Sequence, residues 1–287
     1  MAPAPKTLTA AIAAATLVAL FSLPAAGAPE EGAGAGDFAS GPLRVESAGS
    51  PGQSREWSRE ALRALSAERR KVYFPYIDGE REAVVVPLAT LAERFPEADS
   101  LMAYCRDGYV SYYPKAFLEA YRPFLVLDLA ATPRGDLRLS GGPDLGPYYI
   151  TFSARVERGS AALPDPDNKR PFGVERLVFG DRETLVGPLF EEPVSELAPA
   201  AERGRELWTH NCMSCHAWGT KGGGPGGHLS NRTAPVVAIH AKHNDAYFHD
   251  YVRDPSTFIP GVKMPKHPHY TDAQIDAIQS FIAKVAP

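Results

Sequence analysis

The chain has 287 residues, 44% of them apolar and 22% charged, which is enough for two globular domains with separate cores. Splitting it at residue 200 gives 21 basic and 27 acidic residues before that point and 9 and 7 after it, a net charge of −6 against +2. Neither part has the basic excess of a nucleic-acid-binding protein, and no glycine run matches a dinucleotide fingerprint or a P-loop.

Residues 1–27 have the features of a secretory signal peptide. Lys6 precedes an apolar run at 8–23, and small residues follow it at cleavage spacing. A retained membrane anchor is the alternative, although the run is short for a span. Residues 28–51 are rich in Gly, Ala, Ser and Glu, and we expect a flexible tether there. The sequence therefore predicts export to a periplasmic or equivalent compartment, with no stable membrane span after cleavage.

Residues 52–189 predict one α+β domain. Short runs rich in Val, Ile, Tyr and Phe, bounded by Gly, Pro and Asp, indicate strands. The predicted strands are 71–76, 82–87, 109–113, 124–129, 148–153 and 173–180. Helices are predicted at 58–67, opened by a serine cap, at 88–95 and at 114–121. This mixture fits a single α+β core.

Several short motifs in this part resemble the sulfite-oxidase-type molybdopterin-binding fold. They are W-S-R-E-A-L at 57–62, V-P-L at 86–88, D-G-Y at 107–109, G-G-P at 141–143 and the last predicted strand. The resemblance implies a mixed sheet and a pterin-bound molybdenum held by a cysteine that precedes V-P-L. Residues 71–84 contain no cysteine, and Cys105 lies elsewhere. Since the metal needs its thiolate, molybdopterin is not expected, and Cys105 is either a small buried residue or a reactive thiol.

Residues 190–199 are rich in Pro and Glu and predict a linker to a last domain at 200–287, which contains the run C-M-S-C-H at 212–216. C-x-x-C-H is the attachment signature of c-type haem. On a helix, Cys212, Cys215 and His216 share one face, so two thiols can bond to the porphyrin edge while the imidazole binds the iron. A thioredoxin-like pair or half a zinc site is the alternative, but no second C-x-x-C is present.

Met264 is the candidate for the second axial ligand. It lies between Gly261 and Pro265, about fifty residues after His216, and thioether sulfur is the donor that electron-carrying cytochromes use. The three other methionines are the initiator, the residue between the two cysteines, and one more than a hundred residues upstream. Bis-histidine ligation remains open, because all eight histidines fall between residues 210 and 269. The rival donors are His240, His243, His249, His267 and His269.

The last domain resembles a class I cytochrome c. Gly204 and Trp208 precede Cys212 by eight and four residues, as the glycine and the aromatic residue of that family do, and Ile278 and Phe281 match the crossing residues of its last helix. T-D-A-Q at 271–274 predicts the capping box that opens this helix. The resemblance implies a small all-α fold around one covalent haem c. It also implies a proline whose carbonyl orients the proximal histidine, which only Pro225 loosely represents.

Two functions fit this organisation. The first is an exported monohaem electron carrier with a redox protein as donor and another as acceptor, whose α+β domain docks a partner or ligand; Cys212, Cys215, His216 and Met264 would then occupy every position of the haem. This reading assigns no catalytic residue. The alternative is a haem-coupled molybdenum oxidoreductase of the sulfite dehydrogenase type. An α+β domain with a purely structural role is a third possibility.

Overall fold

The computed structural model describes residues 41–130, 132–153, 169–187, 197–218, 226–230 and 232–285. These residues form a mixed α/β region followed by a helical region. The predicted signal peptide and residues 28–40 lie outside the described residues, as do most of the predicted linker and Pro225. Within the described ranges no helix is both long enough and apolar enough to cross a membrane.

Two β-sheets build the α/β region. The first is mixed, with the strand order β2-β1-β9-β5-β6, and the second is antiparallel, with the order β3-β4-β7-β8. In chain order the strands are β1 (Leu43–Ser47), β2 (Ser50–Trp57), β3 (Glu68–Phe74), β4 (Gly79–Pro87), β5 (Ser100–Cys105), β6 (Val110–Tyr113), β7 (Phe124–Leu129), β8 (Tyr149–Thr151) and β9 (Val174–Gly180). Each of the six predicted strands overlaps one of these.

Strand β1 lies in a stretch that the sequence predicted to be a flexible tether. Residues 43–47 pair with β2 on one side and run parallel to β9 on the other. Leu43 and Val45 are buried, being two residues apart and therefore on the same face of the strand. The residues around β1 are mostly Gly, Ala and Ser, so the composition of the stretch did not indicate this short alternation of buried and exposed residues. The tether prediction is therefore wrong for residues 43–51.

Four short helices cover the sheets. They are α1 (Arg59–Ser66), α2 (Leu88–Ala92), α3 (Lys115–Tyr121) and α4 (Arg182–Val186). The predicted cap of α1 is confirmed, since the backbone N–H of Ala61 donates to the Ser58 side chain at 3.1 Å. Strand β5 was not predicted, although five of its six residues are buried, because it is a continuous apolar run without alternation.

The helical region begins with α5 (Pro199–Leu207), which continues as one π-helical turn (Trp208–Cys212), followed by α6 (Ala234–His243), α7 (Asp245–Arg253) and α8 (Asp272–Val285). Helix α5 crosses α8 at Gly204, where a Cβ atom would lie 1.8 Å from the Ala277 carbonyl oxygen. Ile278 and Phe281, on α8, are buried. Glycine is therefore required at this crossing, as the sequence predicted.

The capping box of α8 is also confirmed. The backbone N–H of Thr271 donates to Gln274 Oε1 at 2.9 Å, and the backbone N–H of Gln274 lies 3.3 Å from Thr271 Oγ1. The two side chains thus satisfy backbone donors that the first turn leaves unpaired. This fixes where α8 begins.

The α/β region and the helical region share one buried cluster. It joins Met102, Val110 and Tyr112 of the first sheet to Trp208 and Met213 of the helical region. Lys169 lies at the same junction, fully buried, and its Nζ donates to the carbonyl oxygen of Tyr112 at 2.7 Å and to that of His210. Burial lowers the pKa of Lys169 to about 7, because the charged amine is removed from water.

Replacing Lys169 should change how stability depends on pH. In the folded protein its pKa is lowered to about 7, so above that pH the unfolded chain binds more protons and the free energy of unfolding rises with pH toward the ordinary lysine pKa. Between pH 7 and pH 9 this group alone should add about 2 kcal/mol. Lys169→Met should remove that rise, as measured by urea unfolding at the two pH values. An unchanged pH dependence in the variant would contradict the assignment.

Candidate haem-binding site

Cys212 ends the π-helical segment, and Cys215 and His216 lie on the turn that follows it. The backbone N–H groups of Cys215 and His216 both donate to the carbonyl oxygen of Cys212, at 3.2 and 2.9 Å. One helical turn is therefore present where the sequence predicted a helix. Its geometry brings the side chains of Cys212, Cys215 and His216 to one side. Both thiols are partly buried, and neither forms a disulfide within the described residues.

A backbone carbonyl orients His216. Its Nδ1 lies 2.6 Å from the carbonyl oxygen of Arg232, and because a carbonyl can only accept, Nδ1 carries the proton. Nε2 is then left with a lone pair for a metal. Burial and the neighbouring charges of Arg232 and His267 hold the pKa of His216 below its ordinary value, which favours the neutral form that binds iron. This hydrogen bond plays the role that histidine-ligated metal sites require.

The acceptor is the carbonyl oxygen of Arg232, whereas Pro225, to which the resemblance gave this role, lies outside the described residues. Arg232 lies two residues before α6, whose N-cap is Thr233 and whose first turn contains a proline. The residues just before a helix are not helical, so their carbonyl oxygens remain available as acceptors. No local sequence pattern marks this carbonyl as the partner of His216, because the fold alone brings the two residues together.

The segment 226–230 is hydrogen-bonded to the C-x-x-C-H turn. The backbone N–H of Gly227 donates to the Met213 carbonyl oxygen at 2.8 Å, and the backbone N–H of Ser230 donates to the Cys215 carbonyl oxygen at 3.0 Å. A Cβ atom at Gly227 would lie 1.7 Å from the Ser214 carbonyl oxygen. Glycine is thus the residue that permits this approach.

Aromatic side chains form a wall beside His216. The Trp208 ring lies 6.0 Å from the imidazole and packs edge-on to Trp218, which in turn lies 5.4 Å from Phe281. The buried Nε1 of Trp208 has no hydrogen-bond partner among the described residues. An orphaned indole N–H at this position is consistent with a group other than polypeptide completing the site. Trp218 was not singled out in the sequence.

Met264 is partly buried and packs against the same cluster as Cys212. It follows Gly261, whose φ of +74° allows the chain to turn there. Of its rivals, His267 is buried against Tyr270, with ring centroids 5.2 Å apart, and lies near enough to His216 to affect its pKa.

The remaining rival histidines have other surroundings. His240 and His243 are exposed, and His269 is partly buried. His249 lies between the carboxylates of Asp272 and Asp276, at 3.1 and 2.9 Å. Met264, His267 and His269 therefore remain the candidate donors, and all three belong to the loop that precedes α8.

The thiol of Cys105 lies in the α/β region, 6% exposed. Burial, together with the carboxylates of Asp107 and Glu175, raises its pKa well above the ordinary value. It therefore stays protonated, which disfavours metal binding and thiolate chemistry. Across the described part of the chain, no group of three or more His, Cys, Asp or Glu residues is arranged to hold a metal ion.

Comparison with known proteins supports a haem site in the helical region. Residues 201–286 match the family model described as cytochrome c. A stretch of 94 residues, 32% of the chain, is 30% identical to cytochrome c oxidase subunit 2 of Alkalihalophilus pseudofirmus. The aligned stretch spans only about a quarter of that relative, 27% of its length. The helical region is therefore a cytochrome c domain, which implies haem c as its cofactor and electron transfer as its activity.

Gly227→Ala should disrupt the C-x-x-C-H turn. The added methyl group would overlap the Ser214 backbone, which cannot move without displacing Cys215, and we expect a loss of more than about 3 kcal/mol in the free energy of unfolding. Gly49→Ala is the matched control, since no atom lies within 4 Å of its Cβ position. Chemical denaturation and the haem absorbance per mole of protein measure both effects. Wild-type haem content and stability in Gly227→Ala would refute this account of the turn.

Proposed function

We propose that this chain is an exported monohaem c-type cytochrome that carries single electrons between periplasmic redox partners. Its haem would be bonded covalently to Cys212 and Cys215, with His216 and Met264 as axial ligands of the iron. The observation that carries the proposal is the hydrogen bond from His216 Nδ1 to the Arg232 carbonyl oxygen, which leaves Nε2 available to a metal in the same run as the thiols of Cys212 and Cys215.

The polypeptide would position the haem, supply the ligands of its iron and keep water away from it. When bound, haem supplies a one-electron couple. The imidazole of His216 is held by its carbonyl partner, so little reorganisation accompanies a change of charge. A thioether from Met264 would favour the reduced state more than an imidazole does. With His216 and Met264 as its ligands, the iron would have no position left for a substrate, which would suit a carrier rather than an oxidase or peroxidase.

Exposed apolar side chains support docking of a redox partner on the cytochrome domain. Among the described residues six large apolar side chains are exposed, and five belong to this domain. They are Leu229, Val236, Ile239, Phe258 and Ile259. A surface rich in apolar groups, on a part of the chain with a small net positive charge, suits a partner that is acidic at its rim. The relative named as an oxidase subunit likewise supports a role in electron transfer.

The alternative function is a haem-coupled molybdenum oxidoreductase of the sulfite dehydrogenase type. Direct packing of the α/β region on the C-x-x-C-H turn favours it, because an electron from a site in that region would have a short route to the haem. The protonated, buried Cys105 weighs against it, since it is the only cysteine outside the C-x-x-C-H run. A carrier whose α/β region docks a partner or ligand is therefore preferred.

Metal analysis of the purified, mature protein separates the two functions. The carrier should contain one iron per chain, no molybdenum, and a haem that stays attached in acidified organic solvent. Cys212→Ala and Cys215→Ala should each remove one thioether bond, and His216→Ala should lower haem incorporation severely. Stoichiometric molybdenum would favour the oxidoreductase. Wild-type haem incorporation in His216→Ala would refute the carrier's ligation.

Substitutions at Met264 test the second axial ligand. Met264→His should lower the reduction potential while the iron stays six-coordinate, because imidazole favours the ferric state more than a thioether does. Met264→Ala should either open the iron to carbon monoxide or recruit His267 or His269. The measurements are the absorption spectrum and a redox titration. If Met264→Ala left both unchanged, one of these histidines would be the native ligand.

A further inference from the structure

A cleft lies in the α/β region, between strands β1 and β2 of the first sheet and the end of α2. Its volume is about 280 Å³. Its apolar floor consists of Val45, Trp57, Leu91 and Phe95, and the rest of its lining consists of Ser54, Arg55 and Arg94. Binding pockets for small molecules begin at about 300 Å³, so a cleft of this size suits a molecule with a single ring.

Two arginine side chains lie over the ring of Trp57. The guanidinium carbon of Arg55 is 4.3 Å from the ring centroid, and the guanidinium carbon of Arg94 is 4.9 Å from it. The two carbons are therefore no more than about 9 Å apart. Both side chains are exposed, and neither forms an ion pair with another described residue. Two positive charges held this close repel each other, so an anion bound to both would offset the repulsion.

The carboxylates of β1 and β2 point away from the cleft. Successive side chains of a strand point to opposite faces, so Glu56 lies on the other face of the sheet from Arg55 and Trp57. Glu46, on β1, shares that other face and pairs with Arg176 at 3.4 Å. None of the described residues that line the cleft is acidic. The fold thus directs the positive charges toward the cleft and the negative charges away from it.

The lining of the cleft favours one class of ligand. A guanidinium group can donate two parallel hydrogen bonds to a carboxylate, so Arg55 and Arg94 can hold an acidic group. An apolar ring attached to that group would cover the floor and remove its apolar surface from water. A bare inorganic anion would leave the floor exposed to water, and a neutral ring would leave the arginines without an anionic partner.

We propose that the cleft binds a small organic anion in which one carboxylate is joined to a single apolar ring. Arg55 and Arg94 bind the carboxylate, and the ring contacts the floor beside Val45 and Phe95. The inference rests on the proposed function in one respect, since it gives the α/β region the ligand-binding role proposed there and names the class of ligand. It does not depend on the haem, because every contact that carries it lies in the α/β region.

The test is calorimetric titration of the full-length protein with benzoate and with cyclohexanecarboxylate at low salt. At least one of them should bind saturably at one site per chain, and benzamide, acetate and inorganic phosphate should each bind at least about tenfold more weakly. Arg55→Gln and Arg94→Gln should each weaken binding by about tenfold, because each removes a charged hydrogen-bond donor. The matched control is Arg69→Gln, which removes an exposed arginine of the second sheet and should bind like wild type.

The fluorescence of Trp57 reports where the ligand binds. Trp57 is the only tryptophan outside the cytochrome c domain, so binding in the cleft should change the tryptophan emission of the wild type. Trp57→Phe keeps a ring under the arginines and should still bind the ligand in the calorimeter, but without that change in emission. An emission change of wild-type size in Trp57→Phe would place the ligand elsewhere and overturn the inference.

Three calorimetric results would also overturn it. They are no saturable binding of either ring carboxylate, equally tight binding of benzamide, and an equal loss of affinity in Arg69→Gln. Iron and haem analysis of the same samples separates this inference from the proposed function. Binding by a wild-type protein without covalent haem would overturn the carrier alone, and covalent haem without binding would overturn this inference alone.

Discussion

A single turn of backbone, held from three directions, determines the geometry of the helical region. The Arg232 carbonyl oxygen fixes the imidazole of His216, segment 226–230 hydrogen-bonds to Met213 and Cys215, and the β5–β6 turn hydrogen-bonds to Ser214. Most of these contacts are made by main-chain atoms, so they depend on where the chain runs more than on side-chain identity. At Gly227 the approach demands one particular residue.

The cluster shared by the two regions has consequences for how they fold. Tyr112 lies 5.9 Å from His210, and Arg182 pairs with Glu202 at 3.1 Å, next to the buried contacts around Trp208. Separate domains joined by a linker would leave such surfaces exposed to water. Any disturbance of the haem-attachment turn therefore reaches the first sheet through β5 and β6, and the stability of each region includes contacts with the other.

The sequence predicted the parts of the fold and site that depend on local spacing. The serine cap of α1, the capping box of α8 and the glycine of the α5–α8 crossing are all short-range patterns. What it missed requires contacts between distant residues. Strand β1 exists because β9, about 130 residues later, pairs with it. The Arg232 acceptor and the contacts of the β5–β6 turn likewise join segments with no shared sequence pattern, so no window of residues could have indicated them.

Lys169 links the two sides of the junction through its side-chain amine. A buried amine costs stability, and a well-packed apolar residue of similar volume is often the more stable choice at such a site. Here the amine supplies donors to two carbonyl oxygens, one at Tyr112 in the first sheet and one at His210 in the π-helical turn. The backbone N–H of Met213 donates to the carbonyl oxygen of Trp208, five residues earlier, as in a π-helix. The backbone N–H groups of Cys215 and His216 donate to the carbonyl oxygen of Cys212. An apolar contact would tolerate sliding of the two surfaces. A donor shared between these two carbonyls ties β6 to the segment leading to Cys212 at one pair of positions.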